Sequence, residues 1–385
     1  MLKRFIAPLI LTLGMLLPSQ ATCSEMDGTL NILSRLIATT FVLGSNLLPQ
    51  IANSNTPLVD DPIPSQNQLL QPIQHLGLLY VVNRADDVLY VIDPNQANRI
   101  IRKIPVGRGP NQPVVHNGRL YITESVGNRI IEINPINYNM RSVRVTGGHL
   151  GPPLSYGQYL LVPSSEDRLL YVIDISLADP IVHTIEVGHG AGAQQPYLYR
   201  NLLYVSNFAD STVSVIDPTR WERIRTIPVG HRPLQALGSY GLIFVVSSFD
   251  ETLSIIQSET GEVRATINLG RHPERPVVHG QYLYIANHFG NTVDVLDPAQ
   301  GFAIIQTIEV GRNPLEPLLH ENLLFVSNEM DGTVSVIDTN QGNKVIETFK
   351  VGPFPQQAIF LNGKLYISNS LSHSMSVLSH KPDSQ

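Results

Sequence analysis

The residues best suited to acid–base chemistry lie in one short stretch of the chain and in its counterpart one repeat later. Arg275 and Glu316 each stand nine residues before the anchor residue of a repeated strand, and they are 41 residues apart. A carboxyl group can act as a general acid or base while a nearby guanidinium holds an anion by paired hydrogen bonds. His272, three residues before Arg275, could take the same acid–base role. Glu316 and His272 are therefore the catalytic candidates.

The same position in the other repeats carries mostly amide side chains. From the first repeat to the last it is occupied by Gln71, Gln112, Pro152, Gln195, Gln235, Arg275, Glu316 and Gln357. The segments just before it are basic and contain Arg108, His149, His189, His231, Arg232, Arg271, His272 and Arg312. In one interpretation the amides bond neighbouring repeats and the basic residues are solvated. In the other, a ligand-binding rim is formed by Gln71, Gln112, Gln195, Gln235, Arg271, Arg275, Glu316 and Gln357, and the basic segments attract an anion.

These residues are positioned by a repeat of about 40 residues. Its anchors are Tyr80, Tyr121, Leu161, Tyr204, Phe244, Tyr284, Phe325 and Tyr366, separated by 41, 40, 43, 40, 40, 41 and 41 residues. A fixed period in this range indicates one supersecondary unit whose copies bury each other's apolar faces. The repeat spans residues 69–379, so these residues are predicted to form one domain.

Each repeat contains four short runs rich in β-branched and aromatic residues, bounded by Asn, Asp, Gly or Pro. Four antiparallel strands per repeat are typical of a β-propeller blade. We name these strands a to d from the central channel outward, with the anchor on strand b. The predicted fold is all-β, a single propeller of four-stranded antiparallel blades, with eight blades expected and seven as the alternative. Strand d usually ends in Gly, which can take the backbone angles needed where the chain crosses to the next blade.

The eighth repeat lacks an outer strand, because only a short tail follows its strand c. An open blade would leave an unpaired edge. We expect an N-terminal strand to close the ring, with Thr56–Val59 as the candidate. In this strand order the d-to-a and b-to-c loops share one rim, and propeller ligands usually bind where such loops converge.

The N-terminal residues indicate export. Lys3 and Arg4 precede a short apolar run, and small residues end it at Ala21, so residues 1–21 are predicted to be a signal peptide. Residues 22–68 are an N-terminal segment and linker, and 380–385 a C-terminal tail. Cys23, the one cysteine, invites a lipoprotein interpretation, but the residues before it make a poor lipidation motif. We expect a periplasmic, cell-surface or secreted protein without a transmembrane segment after the signal peptide.

Several strands resemble a known repeat. Leu202–Asn207, Leu283–Asn287 and Leu324–Asn328 are followed by Val-Ser-Val-Ile-Asp-like and Thr-Ile-x-Val-Gly-like segments. They resemble the YVTN-repeat β-propeller family, named for its Tyr-Val-Thr-Asn strand, over roughly 80% of the chain. The resemblance implies an exported or surface-associated bacterial or archaeal protein. It does not imply one activity, because the same fold resembles lactonases, lyases and quinoprotein dehydrogenase subunits.

Composition and motifs favour binding over catalysis. The net charge of −6 argues against nucleic acid as a partner. No metal-protease, nucleophile-elbow or phosphate-loop motif is present, and no cofactor is predicted. The recurring His75, His116, His279 and His320 stand in different blades, too far apart to share a metal ion, and are expected to be structural.

The leading hypothesis is an exported non-enzymatic scaffold whose rim binds a protein, a peptide or an envelope polymer. The alternative is a lactonase- or lyase-like enzyme acting on a small anionic substrate at the channel mouth.

Overall fold

Each predicted repeat forms one four-stranded sheet in the computed structural model, giving eight sheets in all. The structure describes residues 50–56, 69–177, 180–189, 195–372 and 374–381. The predicted signal peptide, Cys23, most of the N-terminal segment and residues 382–385 of the tail lie outside these ranges. The eight-bladed all-β propeller predicted from the sequence is thus confirmed, and the seven-bladed alternative is wrong. The third repeat, whose anchor is Leu161, forms a complete blade.

In the first seven blades the strands follow the chain in the order a to d, and in the eighth blade strands a to c do so. The first described strand is β1 (Gln50–Thr56), which belongs to the eighth blade. The first four blades contain β2 (Ile73–His75), β3 (Leu78–Asn83), β4 (Val88–Asp93), β5 (Arg99–Pro105); β6 (Val114–His116), β7 (Arg119–Thr123), β8 (Arg129–Ile133), β9 (Met140–Arg144); β10 (Leu154–Tyr156), β11 (Tyr159–Ser164), β12 (Leu169–Ile173), β13 (Ile181–Glu186); β14 (Tyr197–Tyr199), β15 (Leu202–Asn207), β16 (Thr212–Asp217) and β17 (Glu222–Pro228).

The last four blades are built in the same way. They contain β18 (Leu237–Ser239), β19 (Leu242–Ser247), β20 (Thr252–Gln257), β21 (Val263–Asn268); β22 (Val277–His279), β23 (Tyr282–Asn287), β24 (Thr292–Asp297), β25 (Ala303–Glu309); β26 (Leu318–His320), β27 (Leu323–Asn328), β28 (Thr333–Asp338), β29 (Lys344–Lys350); β30 (Pro355–Leu361), β31 (Lys364–Asn369) and β32 (Ser374–Lys381). Short 3-10 turns follow β24 and β28 at Pro298–Gln300 and Thr339–Gln341. Within the described ranges no helix has the length and apolar character required to cross a bilayer.

The eighth blade is closed by the N-terminal strand, as the sequence predicted. Its strand order is β1, β32, β31, β30, so β1 takes the place of the missing strand d. Of the expected segment Thr56–Val59, Thr56 is the last residue of β1, and the other three residues lie outside the described ranges. Residues 53–379 form one compact unit, and the described residues outside it are the ends of β1 and β32.

The core lies between the blades. Alternate residues of strand b point to opposite faces of the sheet, and both faces are covered by a neighbouring blade. In the first blade, Tyr80 and Val82 pack with Leu120 of the second blade, whereas Leu79 packs with Tyr366 of the eighth. The anchor side chains are therefore buried on a face between two blades, which explains why every repeat carries a large apolar residue there.

The glycines that end strand d have a different role from the one expected. Gly107 takes a left-handed φ of 80°, but Gly188, Gly270, Gly311 and Gly352 do not. A Cβ atom on each of these four would lie 2.4 to 2.6 Å from the Cγ of the buried asparagine that ends the next strand b. These glycines are required by close approach, so each forms a tight joint between consecutive blades. At Gly188 the joint includes a hydrogen bond from its N–H to Asn207 Oδ1, 2.9 Å long.

Candidate functional site

The d-to-a and b-to-c loops lie on one rim and are hydrogen bonded to each other. In each of these contacts the donor is the N–H of the residue four positions after the anchor, and the acceptor is the carbonyl of the residue twelve positions before the same anchor. Examples are His288 donating to His272 (3.0 Å) and Glu329 donating to Asn313 (2.9 Å). The residue twelve before the anchor has a left-handed φ in six blades, where it is Gly109, His149, Arg232, His272, Asn313 and Phe354. The repeated backbone contact holds this uncommon conformation in place.

A cavity of about 530 Å³ opens inside this rim. Its lining residues stand nine to twelve positions before an anchor or four positions after one, and not every blade contributes at each position. Gln71, Gln112, Glu316 and Gln357 of the predicted rim line this cavity, and Glu274 and Gln356 join them. Four of the eight predicted rim residues therefore line the cavity. Arg271 is exposed on the loop outside.

Gln195 and Gln235, which do not line the cavity, belong to a network of hydrogen bonds between blades that also includes Gln71 and Gln112. Gln235 Nε2 donates to the carbonyl of Gln195 (3.1 Å), and Gln195 Nε2 donates to the carbonyl of Pro153. Gln112 Nε2 donates to Gln71 Oε1 (3.3 Å), and Gln71 Nε2 donates to the carbonyl of Ala358 (3.3 Å). The amides therefore bond neighbouring blades, as the first interpretation held, while several of them also line the cavity. Such bonds fix the amide orientations before any ligand arrives.

Arg275 and Glu316 replace two amides in this network with an ion pair. Arg275 donates to Glu316 and to Gln235 Oε1, and Gln357 donates to Glu316. The side chains of Arg275 and Glu316 are 30% and 18% exposed. Burial raises the pKa of Glu316, and the opposite charge of Arg275 works against that rise. Both guanidinium contacts are therefore to protein groups, and the anion-holding role of Arg275 stays a prediction.

Glu274 is a functional candidate that sequence reasoning missed. It lies beside Arg275 in the chain and lines the cavity. Its pKa is raised from 4.5 to about 7, first by burial and then by the charge of Glu316, while Arg275 lowers it. A carboxyl group with a pKa near neutrality can exchange protons at physiological pH or bind a cation when ionised. A signal was present: the equivalent residue is Leu70, Leu234 and Leu315 in three other blades.

The candidate His272 lies close to a second histidine in the same blade. Its ring centroid is 5.7 Å from that of His288 and 4.8 Å from that of Phe289, and its buried Nδ1 has no hydrogen-bond partner. Burial, followed by the charge of His288, lowers the pKa of His272, so its imidazole is neutral at pH 7. His288 Nε2 lies 3.8 Å from Glu329 Oε2 and connects this group to the seventh blade.

In three blades a carboxylate of the b-to-c loop lies beside a histidine or an arginine of the basic segments. His231 Nδ1 lies 2.9 Å from Asp250, Arg312 Nε lies 2.6 Å from Asp331, and His149 Nδ1 lies 3.5 Å from Glu166. Backbone and side-chain hydrogen bonds from Arg312 hold the pKa of Asp331 below its usual value. These pairs reduce the positive field that the sequence alone suggested.

Two of the recurring histidines five residues before the anchors contact the next blade. His116 Nδ1 lies 2.8 Å from Ser155 Oγ of the next blade, and the His320 ring stacks on Phe360 with a centroid distance of 3.6 Å. The described part of the chain contains no group of three or more His, Cys, Asp or Glu residues arranged to hold a metal ion.

Comparison with known proteins shows the fold and no more. No protein-family model and no curated protein matches the chain. Solved structures do match. BamB from Moraxella catarrhalis is 13% identical, with a TM-score of 0.68, covering 87% of this chain and 99% of BamB. The computationally designed Ika8 protein is 11% identical, with a TM-score of 0.69, covering 85% of this chain and all of Ika8. The shared feature is the fold.

An enzyme also has this fold. The dihydro-heme d1 dehydrogenase NirN, solved in complex with DHE, is 14% identical, with a TM-score of 0.62, covering 86% of this chain and 78% of NirN. At such identities the likeness shows the eight-bladed propeller alone. Because a designed protein and a dehydrogenase share it, function must be argued from the channel-mouth site.

Proposed function

We propose that this protein is an exported propeller of the YVTN-repeat type that binds a partner at the channel mouth without catalysing a reaction. The observation that carries the proposal is the cavity lined by amide side chains, of which Gln71, Gln112 and Gln357 are oriented by hydrogen bonds to neighbouring blades. A pre-oriented set of donors and acceptors lowers the ordering cost of binding.

The chemistry of the lining favours a partner that both donates and accepts hydrogen bonds. Amides do both, and Glu274 and Glu316 add acceptors. Arg275 is occupied by Glu316 and Gln235, so a small anion is less well matched than a polar chain molecule. A protein, a peptide or an envelope polymer is the proposed class of partner.

Site-specific photo-cross-linking in the source cells tests this proposal. A photoreactive residue replaces Ser165, which lines the cavity, and in a control chain it replaces Glu186, an exposed residue on strand d of the same blade. We expect covalent adducts from position 165 and none from position 186. Equal labelling at both positions, or none at either, would contradict a channel-mouth partner.

Export is tested on the same material. Mass spectrometry of the protein purified from the envelope or medium should find a mature N-terminus at Thr22, after removal of residues 1–21. A chain recovered intact in the cytoplasmic fraction would contradict export. A mature chain beginning at Cys23 with added lipid mass would instead support the lipoprotein interpretation.

One observation favours the enzymatic alternative. Glu274, with its pKa near 7, lines the cavity together with Glu316, which is paired with the guanidinium of Arg275, and this is a usable acid–base arrangement. Acid release from a panel of lactones, followed at constant pH, tests it. An enzyme of this kind should lose activity by about 100-fold or more in Glu274→Gln. No turnover by the wild type on any lactone would leave binding as the function of the site.

A further inference from the structure

Exposed apolar side chains recur on the same rim as the cavity. Five residues after the anchor stand Phe249, Phe289, Met330 and Leu371 in blades five to eight, with exposed fractions of 65%, 51%, 47% and 61%. We call these four residues the apolar arc. Single exposed apolar residues are common on protein surfaces, but here they recur at one position of four consecutive blades. Val126 holds the same position in the second blade and is 55% exposed.

The arc is held by the backbone contacts of the rim. The N–H of Phe289 donates to the carbonyl of Arg271 (3.1 Å), and the N–H of Met330 donates to that of Arg312 (3.2 Å). The Phe289 ring packs against His272, and the Arg232 guanidinium lies 5.3 Å from the centre of the Phe249 ring. These side chains are exposed although their loops are fixed, which is the condition under which apolar groups contribute most to an interface.

The inner edge of the arc is acidic. Glu274 and Glu316 line the cavity, and Glu329 directly precedes Met330 in the chain. Glu274 is close enough to Glu316, Arg275 and Glu329 to experience the charge of each. Three carboxyl groups and one guanidinium leave this part of the mouth with a negative balance, which is complementary to a cation.

We infer that the apolar arc and the acidic mouth together bind a polypeptide segment of another protein. The segment places a Lys or Arg side chain between Glu274 and Glu316 and lays flanking apolar side chains on the arc. This inference rests on the proposed function and narrows its partner. A glycan offers few apolar side groups for the arc, and a nucleic acid would bring phosphates to the carboxylates. A polypeptide supplies both kinds of group at once.

Selection from a displayed library of random peptides tests the inference. The library, with peptides of about 12 residues, is selected on the full-length protein, and the consensus peptide is synthesised with a fluorophore for affinity measurement. We expect enriched peptides to carry a Lys or Arg flanked by large apolar residues. Phe289→Ser with Met330→Ser should weaken binding by about 10-fold or more. Val126→Ser, at the equivalent position away from the arc, should not change it.

The acidic contribution is measured by pairing changes on both sides. Glu274→Gln and replacement of the peptide's basic residue by Ala should each weaken binding by about 10-fold, and the two together should weaken it little further. Full additivity of the two changes would show that they do not contact each other and would overturn the assignment of the basic residue to this site.

The remaining outcomes separate this inference from the proposed function. If no peptide is enriched, or if the enriched peptides lack a basic residue, the inference is wrong, while adducts at position 165 would still support a partner of other chemistry. If the wild type dimerises in sedimentation experiments and Phe289→Ser with Met330→Ser is monomeric, the arc contacts a second copy instead, and the inference is again overturned. Failure of both the selection and the cross-linking would remove the proposed function as well.

Discussion

Glutamine substitution of the ion pair at the channel mouth tests whether the inter-blade ring is one repeated structure. Arg275 and Glu316 occupy the position that holds Gln in five other blades. The variants Arg275→Gln and Glu316→Gln each leave one charge without its partner. The double variant carries both changes and restores amides at both positions, so donors and acceptors can continue from Gln235 to Gln357.

The size of the effect follows from the burial of the pair. Removing one partner of a fully buried ion pair costs about 3–5 kcal/mol, because the remaining charge is left unpaired. The two side chains are 30% and 18% exposed, so water reaches the remaining charge in part, and we expect each single variant to lose about 2 kcal/mol. The double variant should lie within about 1 kcal/mol of the wild type, which corresponds to a coupling energy of about 3 kcal/mol.

Urea unfolding followed by fluorescence provides the measurement. Trp221, the one tryptophan, packs against Tyr156 and Tyr159 of the neighbouring blade, so its emission reports loss of the contact between blades. A loss of about 2 kcal/mol should also lower Tm by about 3 °C in a domain of this size. If the double variant loses as much stability as the two single variants together, the residues are not coupled and the account of the ring is wrong.

Three further predictions concern stability. The pKa of Glu274 is raised from 4.5 to about 7, beside Glu316, Arg275 and Glu329, so the folded protein binds this proton more tightly than the unfolded chain and loses stability as pH rises from 4.5 to 7. Glu274→Gln should remove that loss and raise stability by about 2–3 kcal/mol at pH 8 with little change at pH 4, measured as Tm against pH; an unchanged pH profile would contradict the raised pKa. Gly311→Ala should cost about 2 kcal/mol, since its Cβ would lie 2.6 Å from Asn328 Cγ, and Gly280→Ala, with open space around it, should cost about 1 kcal/mol. Asn328→Ala should cost about 2 kcal/mol by removing its hydrogen bonds to Thr333 and Ser335. It should cost less when Gly311→Ala is also present, because the shortened side chain makes room for the new methyl group. Strictly additive losses of stability in urea unfolding would contradict the close contact between Gly311 and Asn328.

The number of blades was predictable because each blade must cover one face of the blade before it and one face of the blade after it. That requirement places a large apolar anchor such as Tyr80 or Phe244 at the same point of every repeat, and the period can be counted directly. The missing outer strand of the eighth repeat likewise followed from the need to pair an edge. Its location was harder to predict, because any short extended segment can pair with an edge, and of the candidate segment Thr56–Val59 the described strand Gln50–Thr56 contains Thr56.

The channel-mouth site was predictable only in part. The position nine residues before the anchors was found because its amides recur, and five of its eight residues line the cavity. Glu274 was missed because it stands one residue earlier, at a position that was not compared between blades, although three of them carry leucine there. The partners of His231 and Arg312 were missed because Asp250 and Asp331 lie in loops about 20 residues further along the chain, and the pairing is made by the fold.

The reason for a residue can also be hidden when its type is recognised. Glycine at the end of strand d was expected from backbone angles, yet Gly311 and Gly352 are required because an asparagine of the following blade occupies the space of a Cβ. Contacts across a blade boundary leave no local pattern in the sequence. They become visible only when two segments are placed side by side.

The joints between blades require particular residues, whereas the loop residues that follow them can vary. Four of the joints pair a glycine with an asparagine fewer than 20 residues later, as in Gly311 and Asn328, and the two residues that follow the asparagine lie in the b-to-c loop on the same rim as the cavity. Those two residues are His288 and Phe289 in one blade and Glu329 and Met330 in the next. The eight b-to-c loops therefore place equivalent positions around one rim of the propeller. Point substitutions at these positions can change the binding specificity one blade at a time, without altering the joints between the blades.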